Sequence, residues 1–191
     1  MKEKVLVEIS ARHVHLSEAD LAVLFGEGHQ LTFKKELSQP GQFACEERVS
    51  VVGPRNTLHN VIILGPTRSV TQVELSLTDS RTVGITPVIR ESGDIVDTPG
   101  CTLIGPKGEV TLEKGVIIAK RHIHLTPQDA KYYGVADQQI VSVKVESDER
   151  ALTFDDVVIR VRDDFARAMH IDTDEGNAAG INGAAYGEIL V

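Results

Sequence analysis

Two copies of a short histidine pattern are the residues best suited to chemistry in this 191-residue chain. The first copy is Arg12-His13-Val14-His15-Leu16-Ser17, and the second, 109 residues further on, is Arg121-His122-Ile123-His124-Leu125-Thr126. Alternate side chains of a strand point to one face, so each His-x-His pair would aim two imidazoles the same way. Imidazole is a common metal ligand. One such pair is weak evidence, but its repetition with the same flanking residues favours two metal ions over a copied structural corner.

Each copy is predicted to be a strand that runs into a short helix. Residues 5–11 form an apolar strand whose side-chain alternation continues through His13 and His15, and Ser17 is placed to cap a helix over residues 20–25. The second copy repeats this design with a strand over residues 116–119, Thr126 as the cap, Pro127 as the first helical residue and Gly134 as the end.

The rest of the chain consists mostly of short apolar runs separated by Gly-Pro turns, which predicts strands. These runs cover residues 48–52, 60–64, 70–77, 83–89, 101–104, 140–145, 157–162 and 187–191. Residues 163–169 are predicted to form one or two helical turns, and the small, polar residues 172–183 a loop. The spacing favours a mainly β protein made of two similar small β-barrels with short helical caps, related by internal duplication.

Bulk composition narrows the class of protein and partner. The formal net charge of −8 argues against a nucleic-acid partner, which needs a basic face, although metal ions and a few arginines can still attract an anionic substrate. Two cysteines are too few for a disulfide framework. No apolar run is long enough to cross a membrane, and the first strand begins too near Met1 for a signal peptide. We expect a soluble cytoplasmic protein.

Three further residues could serve a site, and each also has an ordinary structural interpretation. His170, at the end of the predicted helical turns, could be a fifth imidazole or could complement a helix dipole. Glu74 shares a polar strand face with Gln72 and Ser76 and could be a ligand or face solvent. Arg68, after a turn, could hold a phosphate or be an ordinary surface arginine. A straight strand would separate Arg68 from Glu74 by about 20 Å, so one shared site requires the chain to bend.

The chain resembles the PduL-type phosphotransacylases, also called phosphate propanoyltransferases, over essentially its whole length. The resemblance is strongest in ISARHVHLS (residues 9–17), AKRHIHLT (residues 119–126) and MHIDTDEGNA (residues 169–178). It implies two β-barrels with helical caps and two metal ions, usually zinc. It also implies that the N-terminal strand is swapped into the C-terminal barrel. One barrel would then comprise residues 12–119, and the other residues 1–11 plus 120–191.

The same resemblance implies a reaction and a set of site residues. The reaction is the interconversion of a short-chain acyl-CoA (acetyl or propanoyl) plus phosphate with acyl phosphate plus CoA. His13 and His15 would bind one metal, and Arg68 would bind phosphate with help from Ser92. The other metal would be bound by His122, His124, His170 and Glu74. The family suggests a homodimer, and the extension that targets some members to a microcompartment is not evident here.

Two rival interpretations remain open from the sequence. A dinuclear metallohydrolase acting on a thioester or phosphate ester would use the same ligands, with hydroxide as the nucleophile. A non-catalytic duplicated module could instead close one structural site with the four histidines of the two pairs.

Overall fold

The computed structural model describes residues 2–191, which form a mainly β protein. The strands are β1 (Val5–Ile9), β2 (His13–His15), β3 (Phe33–Glu36), β4 (Phe43–Val52), β5 (Thr57–Gly65), β6 (Gln72–Glu74), β7 (Ile89–Arg90), β8 (Cys101–Ile104), β9 (Glu109–Leu112), β10 (Val116–Ala119), β11 (His122–Leu125), β12 (Ile140–Val145), β13 (Leu152–Val161), β14 (Ala168–Ile171) and β15 (Ala185–Leu190). The helices are α1 (Glu18–Phe25), α2 (Leu77–Val83), α3 (Pro127–Tyr133) and α4 (Thr173–Ala178). Within residues 2–191 no helix has the length and apolar character needed to span a membrane.

The first compact unit comprises residues 2–10, 38–40 and 120–191 and is a closed six-stranded barrel. Its strand order is β1-β14-β11-β13-β12-β15. The N-terminal strand β1 runs parallel to β14 and antiparallel to β15, which closes the barrel. The predicted swap of the first strand into the C-terminal half is therefore confirmed. Side chains such as Ile123, Val143 and Ile159 fill the core and are wholly buried.

The second compact unit comprises residues 11–37 and 41–119 and is a curled nine-stranded sheet. The strand order is β7-β10-β6-β2-β5-β4-β8-β9, and β3 pairs with β4 outside this path. The sheet forms a half-barrel and does not close, unlike the sheet of the first unit. Val14, Leu16 and Ile63 lie in its core and are wholly buried.

The helical corners that follow the two histidine pairs form as the sequence predicts. The Ser17 side chain accepts a hydrogen bond from the Asp20 backbone at the start of α1. Thr126 forms a reciprocal capping box with Asp129, Pro127 is the first residue of α3, and the helix ends at Gly134 in the left-handed region with φ of 62°. These contacts satisfy backbone groups that a helix leaves unpaired at its ends. The histidines therefore lie on strands whose far ends are anchored by capped helices.

The prediction of continuous strands over residues 70–77 and 83–89 is wrong. Strand β6 ends at Glu74, and α2 begins at Leu77. Ser76 caps this helix, because its side chain accepts a hydrogen bond from the Asp79 backbone. Gly84, in the left-handed region, ends this helix. The apolar residues Leu75 and Val83 suggested a strand, but the capping signal between them determined the local structure.

The predicted helical turns over residues 163–169 and the predicted loop over residues 172–183 are also wrong in part. Residues 168–171 form β14, so His170 lies on a strand of the barrel rather than at a helix end. Helix α4 follows because Asp172 and Glu175 make a capping box. Small and polar residues favour a loop on average, but this reciprocal cap supports a short helix.

Candidate functional site

Each unit positions three potential metal ligands by the same strand pairing. In the half-barrel unit, β2 runs antiparallel to β6, and His13 lies directly opposite Glu74. In the closed barrel, β11 runs antiparallel to β14, and His122 lies directly opposite His170. The duplication therefore extends beyond the His-x-His pairs to a third position on the neighbouring strand. That position carries a carboxylate in one unit and an imidazole in the other.

The cluster of His13, His15 and Glu74 has the spacing of a metal site. The two histidine Nε2 atoms are 3.2 Å apart. Glu74 Oε2 is 3.4 Å from His13 Nε2, and Glu74 Oε1 is 3.8 Å from His15 Nε2. In a tetrahedral zinc site with bonds of about 2.0–2.1 Å, neighbouring ligand atoms lie about 3.3 Å apart. The three buried side chains therefore fit around one metal ion.

Hydrogen bonds to the backbone orient the first histidine of each pair. His13 Nδ1 lies 2.8 Å from the Ala11 carbonyl oxygen, and His122 Nδ1 lies 2.8 Å from the Lys120 carbonyl oxygen. A carbonyl only accepts hydrogen bonds, so Nδ1 carries the proton in both rings. In the neutral form of each ring the lone pair is then on Nε2, as in many metal-binding histidines.

Burial and neighbouring charges set the protonation of the first cluster. Burial, followed by the charge of His13, lowers the pKa of His15 to about 3. Burial also disfavours the charged form of His13, but the carboxylate of Glu74 outweighs it and raises the His13 pKa. Burial alone would raise the pKa of Glu74, whereas the charge of His13 holds it well below its usual range. The cluster thus offers a carboxylate and a neutral imidazole, which are forms that metals bind.

The second cluster consists of three imidazoles in the closed barrel. The ring centroids are 4.6 Å apart for His122 and His124, 5.3 Å for His122 and His170, and 5.0 Å for His124 and His170. Burial and then the charges of the other two histidines lower the pKa of His124 well below its usual value. His124 Nδ1 is buried with no hydrogen-bond partner among residues 2–191. Three neighbouring imidazoles, one of them with an unsatisfied nitrogen, suit a bound cation.

Arg68 and Ser92 join the first cluster through a partly buried hydrogen-bond network. Ser92 Oγ accepts a hydrogen bond of 3.1 Å from Arg68 Nη1 and donates one of 2.9 Å to Glu74 Oε1. The chain bends between Arg68 and Glu74, as one shared site requires. Arg68 precedes β6, and its backbone N–H donates to the Leu16 carbonyl. Gln72, two residues before Glu74, donates to both Glu74 and Ser92. A guanidinium thus lies one hydroxyl away from the carboxylate of the cluster.

This arrangement differs from the grouping that the sequence suggested. Glu74 was expected with the second histidine pair, but strand pairing brings it to His13 and His15, and Ser92 links Arg68 to the same carboxylate. His170 does lie with His122 and His124, as expected.

Two features of the site were not found from the sequence. One is Gln72, whose amide holds Glu74. The other is a repeated ion pair, in which the arginine before each histidine pair bonds an acid on the helix after the third-ligand strand. These pairs are Arg12 with Asp79 at 2.9 Å and Arg121 with Glu175 at 2.8 Å. The two arginines are part of the repeated pattern in the sequence. Their acidic partners are not, because one is an aspartate and the other a glutamate, and they lie at different distances along the chain.

Neither cysteine is placed to act as a nucleophile. Both are buried, and burial raises the pKa of Cys45 to about 11 and that of Cys101 to about 12. A reactive cysteine is accessible and has a lowered pKa. The two thiols therefore have the properties of core residues.

We expect the native protein to resist thiol reagents at neutral pH. With a pKa near 11, the thiolate fraction at pH 8 is about one in a thousand, and burial slows access further. After treatment with iodoacetamide, the native protein should keep its full acyl-transfer rate, whereas the denatured chain should react at both cysteines. Parallel mass spectrometry of the two samples provides the control. Inactivation in step with alkylation of Cys45 would contradict this expectation.

Comparison with known proteins identifies the family of this chain. The sequence model of the family described as phosphate propanoyltransferase matches residues 6–182. The chain belongs to this family. A phosphate propanoyltransferase from Thermotoga maritima is 58% identical over 178 residues, which cover 93% of this chain and 85% of that protein. Proteins with the same name from Leptotrichia buccalis and Listeria monocytogenes are 56% identical over 185 residues and 53% over 186. These alignments cover 96% and 97% of this chain and 87% of each relative. The family resemblance inferred from the motifs is confirmed, and the chain is an acyltransferase.

Proposed function

We propose that the chain interconverts a short-chain acyl-CoA plus phosphate with acyl phosphate plus CoA, using two zinc ions per chain. The observation that carries this proposal is the family match over residues 6–182. In the forward direction the acyl carbon–sulfur bond breaks, a carbon–oxygen bond to phosphate forms, and the phosphate proton passes to the CoA sulfur. Acetyl-CoA and propanoyl-CoA are the proposed substrates. A homodimer and a cytoplasmic location stay predictions.

Each unit would hold one of the two ions. His13, His15 and Glu74 would bind the first, and the spacing of their ligand atoms supports this. The second would be bound by His122, His124 and His170. Catalytic zinc sites commonly have three protein ligands, which leaves a position for water or substrate. When bound, zinc supplies Lewis acidity that favours thiolate over thiol and polarises a carbonyl oxygen.

Arg68 is the proposed phosphate-binding residue. The planar guanidinium matches phosphate oxygens in pairs, and its charge remains at every physiological pH. Its hydrogen bond to Ser92, which in turn bonds Glu74, supports a position beside the first cluster. A phosphate held there would be oriented for attack while its charge is partly neutralised.

Acyl transfer would proceed directly between the two substrates. The buried state and raised pKa of both cysteines argue against an acyl-enzyme on sulfur. Holding acyl-CoA and phosphate together can itself supply a large part of the rate. Steady-state kinetics should then show a ternary complex and not a ping-pong pattern.

The test is a CoA-release assay with acetyl-CoA and propanoyl-CoA, run with and without phosphate, alongside metal analysis of the purified protein. We expect release that requires phosphate, acyl phosphate formed in equal amount, and about two metal ions per chain, because each unit would supply three ligands to one ion. Equal CoA release without phosphate would indicate a metallohydrolase. Full activity in a metal-free preparation would contradict the proposed role of zinc.

A further inference from the structure

Gln72 is buried beside Glu74 of the candidate metal cluster and beside Ser92, which bonds Arg68. Its side chain is only 1% exposed and makes three hydrogen bonds. The amide nitrogen Nε2 donates to Glu74 Oε1 at 2.7 Å and to Ser92 Oγ at 2.9 Å. The amide oxygen Oε1 accepts from the Gly93 backbone N–H at 2.8 Å. The amide therefore contacts both the candidate metal ligand and the segment that carries Ser92.

The partners of Gln72 fix its orientation. The Gly93 N–H needs an acceptor, and the Glu74 carboxylate needs a donor, so the amide oxygen and nitrogen are not interchangeable here. A glutamate at this position would set two carboxylates against each other, and an apolar residue would leave buried polar groups unpaired, which is destabilising. Only a side chain with both a donor and an acceptor at this reach satisfies the three partners.

We propose that Gln72 is a positioning residue that reserves Glu74 Oε2 for the metal and couples the metal cluster to the phosphate-binding arginine. Gln72 and Ser92 both donate to Glu74 Oε1, which lies 3.8 Å from His15 Nε2, so two hydrogen bonds engage that oxygen. The other oxygen, Oε2, is the one 3.4 Å from His13 Nε2. Ser92, the second acceptor of the Gln72 amide, is also the acceptor for Arg68. This inference rests on the proposed function.

The strand position of Gln72 is not repeated in the other unit. The residue opposite His15 is Gln72, whereas the residue opposite His124 in the closed barrel is Ala168. Alanine has no polar side chain, and the amide near the three-imidazole cluster comes from elsewhere in the chain, with Gln39 Nε2 3.4 Å from His170 Nε2. A carboxylate can bind through either or both oxygens and needs a partner to select one, whereas an imidazole with its Nδ1 protonated offers a single nitrogen.

The test is a zinc titration of the metal-depleted full chain against a chromophoric chelator. Outer partners of metal ligands typically contribute 10–100-fold to metal affinity. We therefore expect Gln72→Met, which has a similar size but no amide, to weaken one of the two zinc sites by about that factor and to leave the other unchanged. The KM for phosphate should rise more than the KM for acyl-CoA, because Ser92 loses its fixed position beside Arg68.

Two further variants keep the test decisive. Gln72→Asn retains an amide but is one methylene too short to reach all three partners. It cannot overpack the core, and it should weaken the same one of the two zinc sites. Gln30→Met makes the same kind of change at an exposed residue of the same unit and should alter neither zinc site nor KM. Equal weakening of both sites together with a lower melting temperature would indicate general destabilisation and overturn the proposal, as would unchanged zinc affinity. If the wild-type chain itself bound no zinc or released CoA without phosphate, the proposed function would fail instead.

Discussion

Replacing His13 with alanine should remove one metal ion per chain and lower the acyl-transfer rate about 1000-fold, because the cluster loses one of its three ligands and the charge stabilisation supplied there. His13 is buried, and its Nε2 lies within 3.4 Å of both other ligand atoms of the cluster. Its Nδ1 bond to Ala11 shows that the ring is held in a ligand-like orientation. Metal content by elemental analysis and the rate of CoA release are the two measurements.

The matching replacement in the closed barrel should remove the other ion. His122→Ala should lower the metal content by one and leave the ion held by His13, His15 and Glu74 in place. His59→Ala is the control, because His59 is exposed and bonds Ser50; this variant should keep both ions and the full rate. In the proposed arrangement each unit holds its own ion, so the two losses should be independent.

The metal counts also separate this proposal from a single structural site made by the four histidines of the two pairs. Such a site would hold one ion per chain, and either replacement would empty it completely. It would also leave Glu74 and His170 without a role, although strand pairing sets each of them opposite the first histidine of a pair. A wild-type content of one ion that falls to zero in both variants would favour the structural site.

The repeated corner was predictable from sequence because its determinants are local. A polar cap, an acid three residues later and a glycine at the end specify α1 and α3 without reference to the rest of the fold. The swap of the first strand was expected only from the family resemblance, because the parallel pairing of β1 with β14 joins residues more than 160 positions apart. Nothing local in residues 5–9 specifies that partner.

The grouping of the ligands was not predictable, because it depends on which strands pair and in what register. Glu74 follows the first histidine pair by about 60 residues and precedes the second by about 50, so distance along the chain assigns it to neither. The three-residue strand β6 and the register His13 to Glu74 decide the question. The short helix α2, which begins just after β6, was hidden by the apolar residues on both sides of its cap.

Gln72 shows the same limit for buried polar residues. In the sequence, Gln72 and Glu74 alternate with apolar residues, which is the pattern of a strand with one face in solvent. In the structure both are buried, because Gln72 donates a hydrogen bond to Glu74. Ser92, 18 residues after Glu74, donates a second one and completes the network. A polar strand face that is buried requires partners from elsewhere in the chain, and only the folded structure supplies them.

Replacing Arg68 with glutamine should raise the KM for phosphate about 10- to 100-fold, while the metal content stays at the wild-type value. A hydrogen bond to a charged group contributes about 1.5–3 kcal/mol, and each 1.4 kcal/mol corresponds to a tenfold change in binding. Arg68→Lys should lie between glutamine and wild type, because it keeps the charge but loses the paired geometry of the guanidinium. Initial rates at varied phosphate and fixed acyl-CoA measure the effect.

The unchanged metal content distinguishes Arg68 from the residues that hold the ion. Arg68 is linked to Glu74 through the Ser92 hydroxyl, and its positive charge opposes a cation at the cluster, so its loss removes no ligand. Arg81→Gln, which removes the same charge from an exposed position on α2, should leave the phosphate dependence unchanged. If Arg68→Gln had the wild-type phosphate KM, phosphate would have to be bound without this arginine. If it lost an ion instead, the Arg68–Ser92–Glu74 network would support the metal and not the phosphate.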